Sequence, residues 1–134
     1  MFDTILFPVD RSRETSHAIE LVADLAKKYN GTVILLSVLD SDRIEAQDVA
    51  AARQQGKEFL ERGMAALKQA GVAEVRSQFT EGKVAFVICD VADERDASLI
   101  VMGSRGVGLA DEEPHDSVSA RVIQLSPCPV LVVP

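Results

Sequence analysis

The sequence predicts an open, doubly wound, Rossmann-like α/β fold, with a five-stranded parallel sheet covered by helices on both faces. Five short apolar runs rich in β-branched residues alternate with four segments of helical periodicity. Strands separated by helices run parallel, because the chain returns through long right-handed crossovers. A chain of 134 residues is long enough for one hydrophobic core and too short for two comfortable ones. We therefore expect a single domain over residues 1–134.

The first strand and helix are predicted from residues 4–31. Residues 4–10, TILFPVD, form a short apolar run of the kind that is buried on both faces. Ser12 can cap the helix that follows, in which apolar residues recur at helical spacing as far as Tyr29. Asn30-Gly31 is typical of a helix end. This gives the first strand–helix unit.

A second unit follows, with a strand over 33–41 that ends near Asp40 and then a long helix. The helical pattern runs from Val49 to Gly71 after a polar opening. Gly56 and Gly63 each weaken a helix by about 1 kcal/mol relative to alanine. A kink or a late start is therefore compatible with this pattern.

The second half of the chain repeats the alternation. It predicts a strand over 75–80, a helix over 83–95, a strand over 98–103, a helix from about 117 and a strand over 129–134. In such sheets ligands bind outside the carboxyl ends of the strands, where the strand order reverses. The predicted carboxyl ends are Asp10, 38–40, 80–82 and 102–106.

The amino-acid composition limits the kinds of ligand that the protein is expected to bind. The formal net charge of −7 disfavours nucleic acids and anionic membranes, because no basic face is available to displace phosphate counterions. No run reaches the roughly 18 apolar residues of a membrane span, and Asp3 and Asp10 interrupt what would be a signal peptide. We expect a cytoplasmic protein that can still bind a specific small anion.

Few side chains suit redox or acid–base chemistry. Cys89 and Cys128 lie in apolar contexts without a thiol or histidine at metal spacing, so we expect reduced packing residues. His17, in the first helix, is interpreted as a solvent or capping residue. His115 could assist a water molecule, but no base with an orienting partner is visible. Slow nucleotide hydrolysis is kept only as an alternative function.

The segment after the fourth strand, GSRGVGLADEEPHDS, combines features of a phosphate loop with acidic residues. Gly103 and Gly106 permit close backbone approach, and the chain then reaches a helix N-terminus near Ser117, where free N–H groups favour an anion. Ser104 and Arg105 could add donors. No Walker or dinucleotide motif is present. The alternative is a simple turn with a helix cap.

Asp10 ends the first strand, beside this loop if strands one and four are adjacent. A carboxylate there could accept hydrogen bonds from ribose hydroxyls or hold Mg²⁺. The alternative is a helix or turn cap.

These motifs together resemble the universal stress protein family. The pattern Gly103-x2-Gly106, nine residues, position 116 and Ser117 is similar to the ATP-binding signature of that family. ILFPVDRS resembles its first strand and turn, TVILLSVLD its second strand, and TEGKVAFVI its third loop and helix. The resemblance covers the chain except for the variable region 41–57.

The resemblance implies a regulatory or stress-response factor that binds ATP, ADP or AMP, with Mg²⁺ as a companion ion that Asp10 could hold. It implies that Val38 offers backbone atoms to adenine. The implied site consists of Pro8, Val9, Asp10, Val38, Met102 and Gly103 around the adenosine, and Ser104, Arg105, Gly106, Asp116, Ser117 and Val118 around the phosphates.

The resemblance also implies a homodimer formed through the last strand, Val130 to Val133. An apolar edge strand left open is an aggregation hazard, and pairing with the same strand of a second subunit would cover it. The alternative is that this strand is internal or covered by a loop.

One position departs from the family signature. Asp116 replaces a glycine, and a carboxylate about 7 Å from a phosphate opposes it by roughly 2 kcal/mol at an effective dielectric constant of 20. Asp111, Glu112 and Glu113 add negative charge that solvent can screen. The acidic group could recruit Mg²⁺, favour AMP or ADP, or have no role. A further alternative is an interaction module that keeps the fold, binds an unknown protein partner and does not bind nucleotide.

Overall fold

The computed structural model describes residues 1–9, 13–104 and 117–134, and it has the predicted alternation of strands and helices. The elements are β1 (Thr4–Pro8), α1 (Arg13–Tyr29), β2 (Thr32–Leu39), two 3-10 turns (Ser41–Arg43 and Ala46–Asp48), α2 (Val49–Gln69), β3 (Glu74–Glu81), α3 (Val84–Glu94), β4 (Leu99–Gly103), α4 (Val118–Leu125) and β5 (Val130–Val133).

The five strands form one parallel sheet in the order β3-β2-β1-β4-β5. The chain first winds from β1 outwards to β3, then crosses back and continues from β4 to β5. The strand order therefore reverses between β1 and β4, which are direct neighbours through Ile5 and Leu6 of β1. This confirms the predicted fold class, and it confirms that strands one and four are adjacent.

The two faces of the sheet have separate hydrophobic cores because side chains alternate along each strand. Ile5 and Phe7 of β1 pack with residues of α1 and α2, whereas Leu6 packs with residues of α3 and α4. All three side chains are fully buried. Burying a side chain of this size stabilises the fold by about 1.5–3 kcal/mol, so an apolar run without polar interruptions is what this sheet requires.

The first two helices, α1 and α2, end close to the residues that the sequence predicts. Asn30 has a φ of 52°, and the Gly31 N–H donates to Ala26 O at 2.8 Å, which closes α1. Gly71 has a φ of 100°, and its N–H donates to Lys68 O at 3.0 Å at the end of α2. Both turns use the left-handed conformation that asparagine and glycine adopt most readily.

The long helix α2 is continuous from Val49 to Gln69, so the two glycines neither interrupt it nor delay its start. Gly56 and Gly63 are both buried against the sheet. A Cβ atom on Gly56 would lie 2.7 Å from Phe79 Cε2, and one on Gly63 would lie 3.1 Å from Leu35 Cδ1. The two glycines therefore let α2 lie close to β2 and β3.

The remaining differences are at the ends of elements. β1 ends at Pro8 and β2 at Leu39, slightly before the predicted ends. The polar opening before α2 contains two short 3-10 turns that the sequence pattern does not predict. Across the described ranges, no helix has the length and apolar character needed to cross a membrane.

Candidate functional site

The candidate site begins at the carboxyl ends of β1 and β4, where the strand order reverses. Val9 is buried, and its N–H donates to Leu36 O at 2.8 Å, so the β1–β2 pairing continues one residue beyond the end of β1. Met102 and Gly103 are buried at the end of β4. Pro8 and Val9 at the end of β1, and Met102 and Gly103 at the end of β4, thus lie at the carboxyl ends of neighbouring parallel strands.

The end of β2 forms the next part of the same edge. Val38 is partly buried and packs against the core under α3 and α4. It pairs in register with Thr80 of β3. Because β2 lies beside β1 on the side away from β4, Val38 lies at the carboxyl edge one strand further from the end of β4.

Asp40 organises the turn after β2, a role that sequence reasoning missed. Its Oδ1 accepts a hydrogen bond from Asp42 N at 3.1 Å, and its Oδ2 lies 3.6 Å from Lys83 Nζ and 3.7 Å from Arg43 Nε. The Asp40 side chain is only 10% exposed, but the Lys83 side chain is 58% exposed. Exposed ion pairs contribute little stability, so the backbone cap is the stronger part of this arrangement. The only sequence signal is an aspartate directly after an apolar strand.

Ser117 directly precedes α4. Its Oγ accepts a hydrogen bond from Ala120 N at 3.1 Å, which makes it the N-cap of the helix. Val118 is buried in the core between α3, α4 and the sheet. The N-terminus of α4 is therefore fixed by a cap and by a buried side chain.

Ser119 joins the two ends of the predicted phosphate loop. Its Oγ donates to Ser104 O at 3.1 Å and lies 3.2 Å from Ser117 Oγ. The Ser104 N–H donates to Val133 O at 3.0 Å. Ser104 and Ser117 are thus linked through one hydroxyl, and Ser104 is linked to the last strand. Sequence reasoning missed Ser119, for which the only signal is the spacing of two serines at a helix start.

Part of the predicted site falls outside the described residues. Asp10, Arg105, Gly106 and Asp116 belong to this part, as do the acidic residues 111–113 and His115. His17 is exposed on α1. Among residues 1–9, 13–104 and 117–134, no cluster of His, Cys, Asp and Glu has the geometry of a metal site.

Both cysteines are free thiols on the face of the sheet that α3 and α4 cover. Cys89 is buried, and its Sγ lies 4.0 Å from Val122 O. Burial, the Asp90 carboxylate and the neighbouring Cys128 thiol raise the pKa of Cys89 above its usual value of 9.0. Cys128 is only partly buried, in the turn between α4 and β5. Cys89 is therefore held in its neutral, unreactive form.

This architecture defines an open, doubly wound α/β protein with its candidate site at the reversal of strand order. The model of the universal stress protein family matches residues 1–134. Universal stress protein Sll1654 of Synechocystis is 51% identical over 138 aligned positions, which cover 100% of this chain and 87% of that relative. The chain belongs to the universal stress protein family.

Solved structures share the fold of this chain. The hypothetical protein MJ0577 is 26% identical, with a TM-score of 0.85 and coverage of 99% of this chain and 96% of that one. A universal stress protein from Archaeoglobus fulgidus in complex with dAMP is 24% identical, with a TM-score of 0.78 and coverage of 99% and 98%. A universal stress protein in complex with cAMP is 22% identical, with a TM-score of 0.76 and coverage of 99% and 97%. The last two similarities concern the fold.

Proposed function

We propose that this chain is a cytoplasmic, homodimeric regulatory protein that binds an adenine nucleotide at the carboxyl edge of its sheet. The adenosine would contact Pro8, Val9, Val38, Met102 and Gly103. The phosphate would be held between Ser104 and Ser117, at the N-terminus of α4. Asp10, Arg105, Gly106 and Asp116 complete the proposed site from the segments outside the described residues.

The single observation that carries this proposal is the linkage of Ser104 to Ser117 at the strand-order reversal. Ser104 follows β4 directly, and Ser117 caps α4, whose N-terminal N–H groups and dipole favour an anion. The Ser119 hydroxyl lies within 3.2 Å of both residues. Two fold relatives support the choice of ligand, since one was solved with cAMP and the other with dAMP. Each of these ligands combines adenine with one phosphate.

The charge of the chain favours ligands with few phosphates. The net charge is −7, and Asp116 stands at the signature position that is glycine in the family. Repulsion of roughly 2 kcal/mol per charge pair weakens binding by more than tenfold. We therefore expect affinity to decrease from AMP through ADP to ATP without Mg²⁺. Mg²⁺ would reduce this difference because it neutralises part of the polyphosphate charge.

Isothermal titration calorimetry with AMP, ADP and ATP, each with and without Mg²⁺, tests the proposal. GMP is the matched control, because it has the same phosphate on a different base. We expect AMP to bind below about 1 mM and at least tenfold more tightly than GMP. If none of the adenine nucleotides binds in this range, the nucleotide-binding function is wrong and the chain is better explained as an interaction module.

The Asp116→Gly substitution tests the charge argument separately. It should tighten ATP binding by about tenfold and AMP binding by less, because ATP carries more charge. Asp116→Asn is the control that removes the charge but keeps a side chain. If neither variant changes the ratio of ATP affinity to AMP affinity, the acidic residue does not select the ligand, and a role in binding other proteins is favoured.

The homodimer would form through the free edge of β5. Among the described residues, β5 pairs on one side only, with β4. Pro129 O accepts a hydrogen bond from Ile100 N–H in β4, and Val133 O accepts one from the N–H of Ser104, the residue after β4. Because carbonyl directions alternate along a strand, the N–H and C=O groups of Val132 point towards the free edge. Pairing with the same strand of a second copy would satisfy these groups.

A further inference from the structure

The hydroxyl groups at the start of α4 form a chain with only one consistent direction. Each serine hydroxyl has a single hydrogen to donate. Ser119 donates its hydrogen to Ser104 O at 3.1 Å, so Ser117 must be the donor in its 3.2 Å contact with Ser119. Ser117 in turn accepts from Ala120 N at 3.1 Å. The order of donation is Ala120 N–H to Ser117, Ser117 to Ser119, and Ser119 to Ser104 O.

The chain continues from Ser104 to the edge of the sheet. The Ser104 N–H donates to Val133 O at 3.0 Å, and Gly103 pairs in register with Val133. The peptide groups on both sides of Ser104 are therefore held, one by Val133 and one by Ser119. As a result, the first residue after β4 has a defined position relative to the N-terminus of α4 and to β5.

We propose that Ser119 is a positioning residue for the phosphate group of the bound nucleotide, and that it links this group to the β5 edge. This inference rests on the proposed function. Ser119 does not need to touch the ligand. Its hydroxyl holds Ser104 and Ser117 at the spacing at which both can contact one phosphate, whatever the intervening loop contributes.

The direction of the hydrogen bonds explains why a hydroxyl is needed at position 119. When Ser117 donates its only hydrogen to a phosphate oxygen, it no longer donates to Ser119. Ser119 still donates to Ser104 O, so the end of β4 keeps its position after the ligand binds. Alanine at 119 would leave Ser104 O without this donor, whereas threonine would keep the hydroxyl.

Preorganisation gives this arrangement a measurable consequence. A phosphate site whose serines, Ser104 and Ser117, are already linked loses less conformational freedom when it binds a ligand. The benefit applies only to ligands that carry a phosphate. Adenosine, which shares the base and the ribose but has no phosphate, should be insensitive to position 119.

The first test compares AMP with adenosine. We expect Ser119→Ala to weaken AMP binding by about fivefold to tenfold and adenosine binding by less than about twofold. Ser119→Thr should restore AMP affinity to within about twofold of the wild type. The matched control is Ser98→Ala at the opposite edge of the sheet. It removes two hydrogen bonds of the same kind, from Ser98 Oγ to Thr4 O at 2.9 Å and from Thr4 N–H to Ser98 Oγ at 3.1 Å.

Three results would overturn the proposal. One is an equal loss of AMP and adenosine affinity in Ser119→Ala, and another is a failure of Ser119→Thr to restore binding. The third is the same selective loss of AMP affinity in Ser98→Ala, which would show that the effect is a general loosening of the sheet.

A second test uses the protein without ligand and separates this inference from the proposed function. Amide hydrogen exchange should be faster at Ser104 in Ser119→Ala than in the wild type, by about fivefold. The internal reference is Ile100, whose N–H donates to Pro129 O at 3.0 Å at the other end of the β4–β5 pair and should not change. An unchanged Ser104 rate refutes the linkage, whether or not the wild type binds nucleotides.

Discussion

Gly56 in α2 is the position where the packing of the helix on the sheet can be tested most sharply. In the substitution Gly56→Ala, the new Cβ atom would lie 2.7 Å from Phe79 Cε2 and 2.9 Å from Ser37 Oγ. Carbon atoms at a normal contact are about 3.5–4.0 Å apart, so either the helix or these side chains must shift. Ser37 is only 5% exposed and has little room to do so.

Two opposing effects determine how much each alanine substitution changes the free energy of unfolding. Alanine is favoured over glycine in a helix by about 1 kcal/mol, and overpacking in a core costs about 1–3 kcal/mol. For Gly56→Ala we expect a net loss of about 1 kcal/mol. In Gly63→Ala, the atom closest to the new Cβ is Leu35 Cδ1, at 3.1 Å. A movement of the Leu35 side chain by a few tenths of an ångström is sufficient to relieve this contact. The two effects should then cancel to within about 0.5 kcal/mol.

Urea unfolding followed by circular dichroism provides the assay. The midpoint for Gly56→Ala should decrease without a change in the slope m, and its Tm should fall by about 4 °C. Gly63→Ala is the matched control, because it makes the same substitution in the same helix. A Gly56→Ala variant as stable as the wild type, or a larger loss at Gly63, would refute the close packing of α2.

Other predictions follow from single contacts. Val132→Pro should convert a dimer to a monomer in light scattering because it removes the outward N–H, whereas Val132→Ala should not; a proline variant that stays dimeric excludes the β5 interface. Asp40→Ala should lower the free energy of unfolding by about 1–2 kcal/mol in chemical unfolding, because the aspartate accepts the capping hydrogen bond from the backbone. Lys83→Ala should lower it by less than about 0.5 kcal/mol, and equal losses in the two variants would contradict this. Iodoacetamide should label Cys128 before Cys89, and the Cys89 rate should still be rising above pH 9.0 because its pKa is raised; faster labelling of Cys89 would contradict its burial.

The raised pKa of Cys89 also sets the sign of one pH effect. The folded protein holds the proton of this thiol more tightly than the unfolded chain does. The resulting contribution to the free energy of unfolding is therefore fully present below the ordinary thiol pKa. This contribution is lost as the pH rises through the higher pKa of the folded state. A Cys89→Ser variant should therefore show a smaller loss of stability above pH 9.0 than the wild type.

The sequence predicted the sheet well because its strands are buried on both faces. Residues 4–8 and 99–103 contain almost no polar side chain, and this pattern is typical of central parallel strands. The ends of α1 and α2 were predictable for a local reason, since Asn30 and Gly71 adopt left-handed conformations. These features depend on residues that are close together in the chain.

The features that sequence reasoning missed depend on contacts between distant residues. Gly56 was interpreted as a weak point of a helix because Phe79, which the glycine accommodates, is on another element. The Asp40–Lys83 contact joins the end of β2 to the start of α3. Ser119 meets Ser104 only because α4 returns to the end of β4. A local sequence pattern carries no information about such contacts.

An NMR titration of the ¹⁵N-labelled protein with AMP tests nucleotide binding at the carboxyl edge residue by residue. Binding at this edge should produce saturable shifts below about 1 mM at the amides of Val38, Gly103, Ser104 and Ser117, all at one edge of the sheet. Ser98, at the opposite edge, should not shift. Shifts that do not saturate, or that centre on the opposite edge, would contradict nucleotide binding at this site.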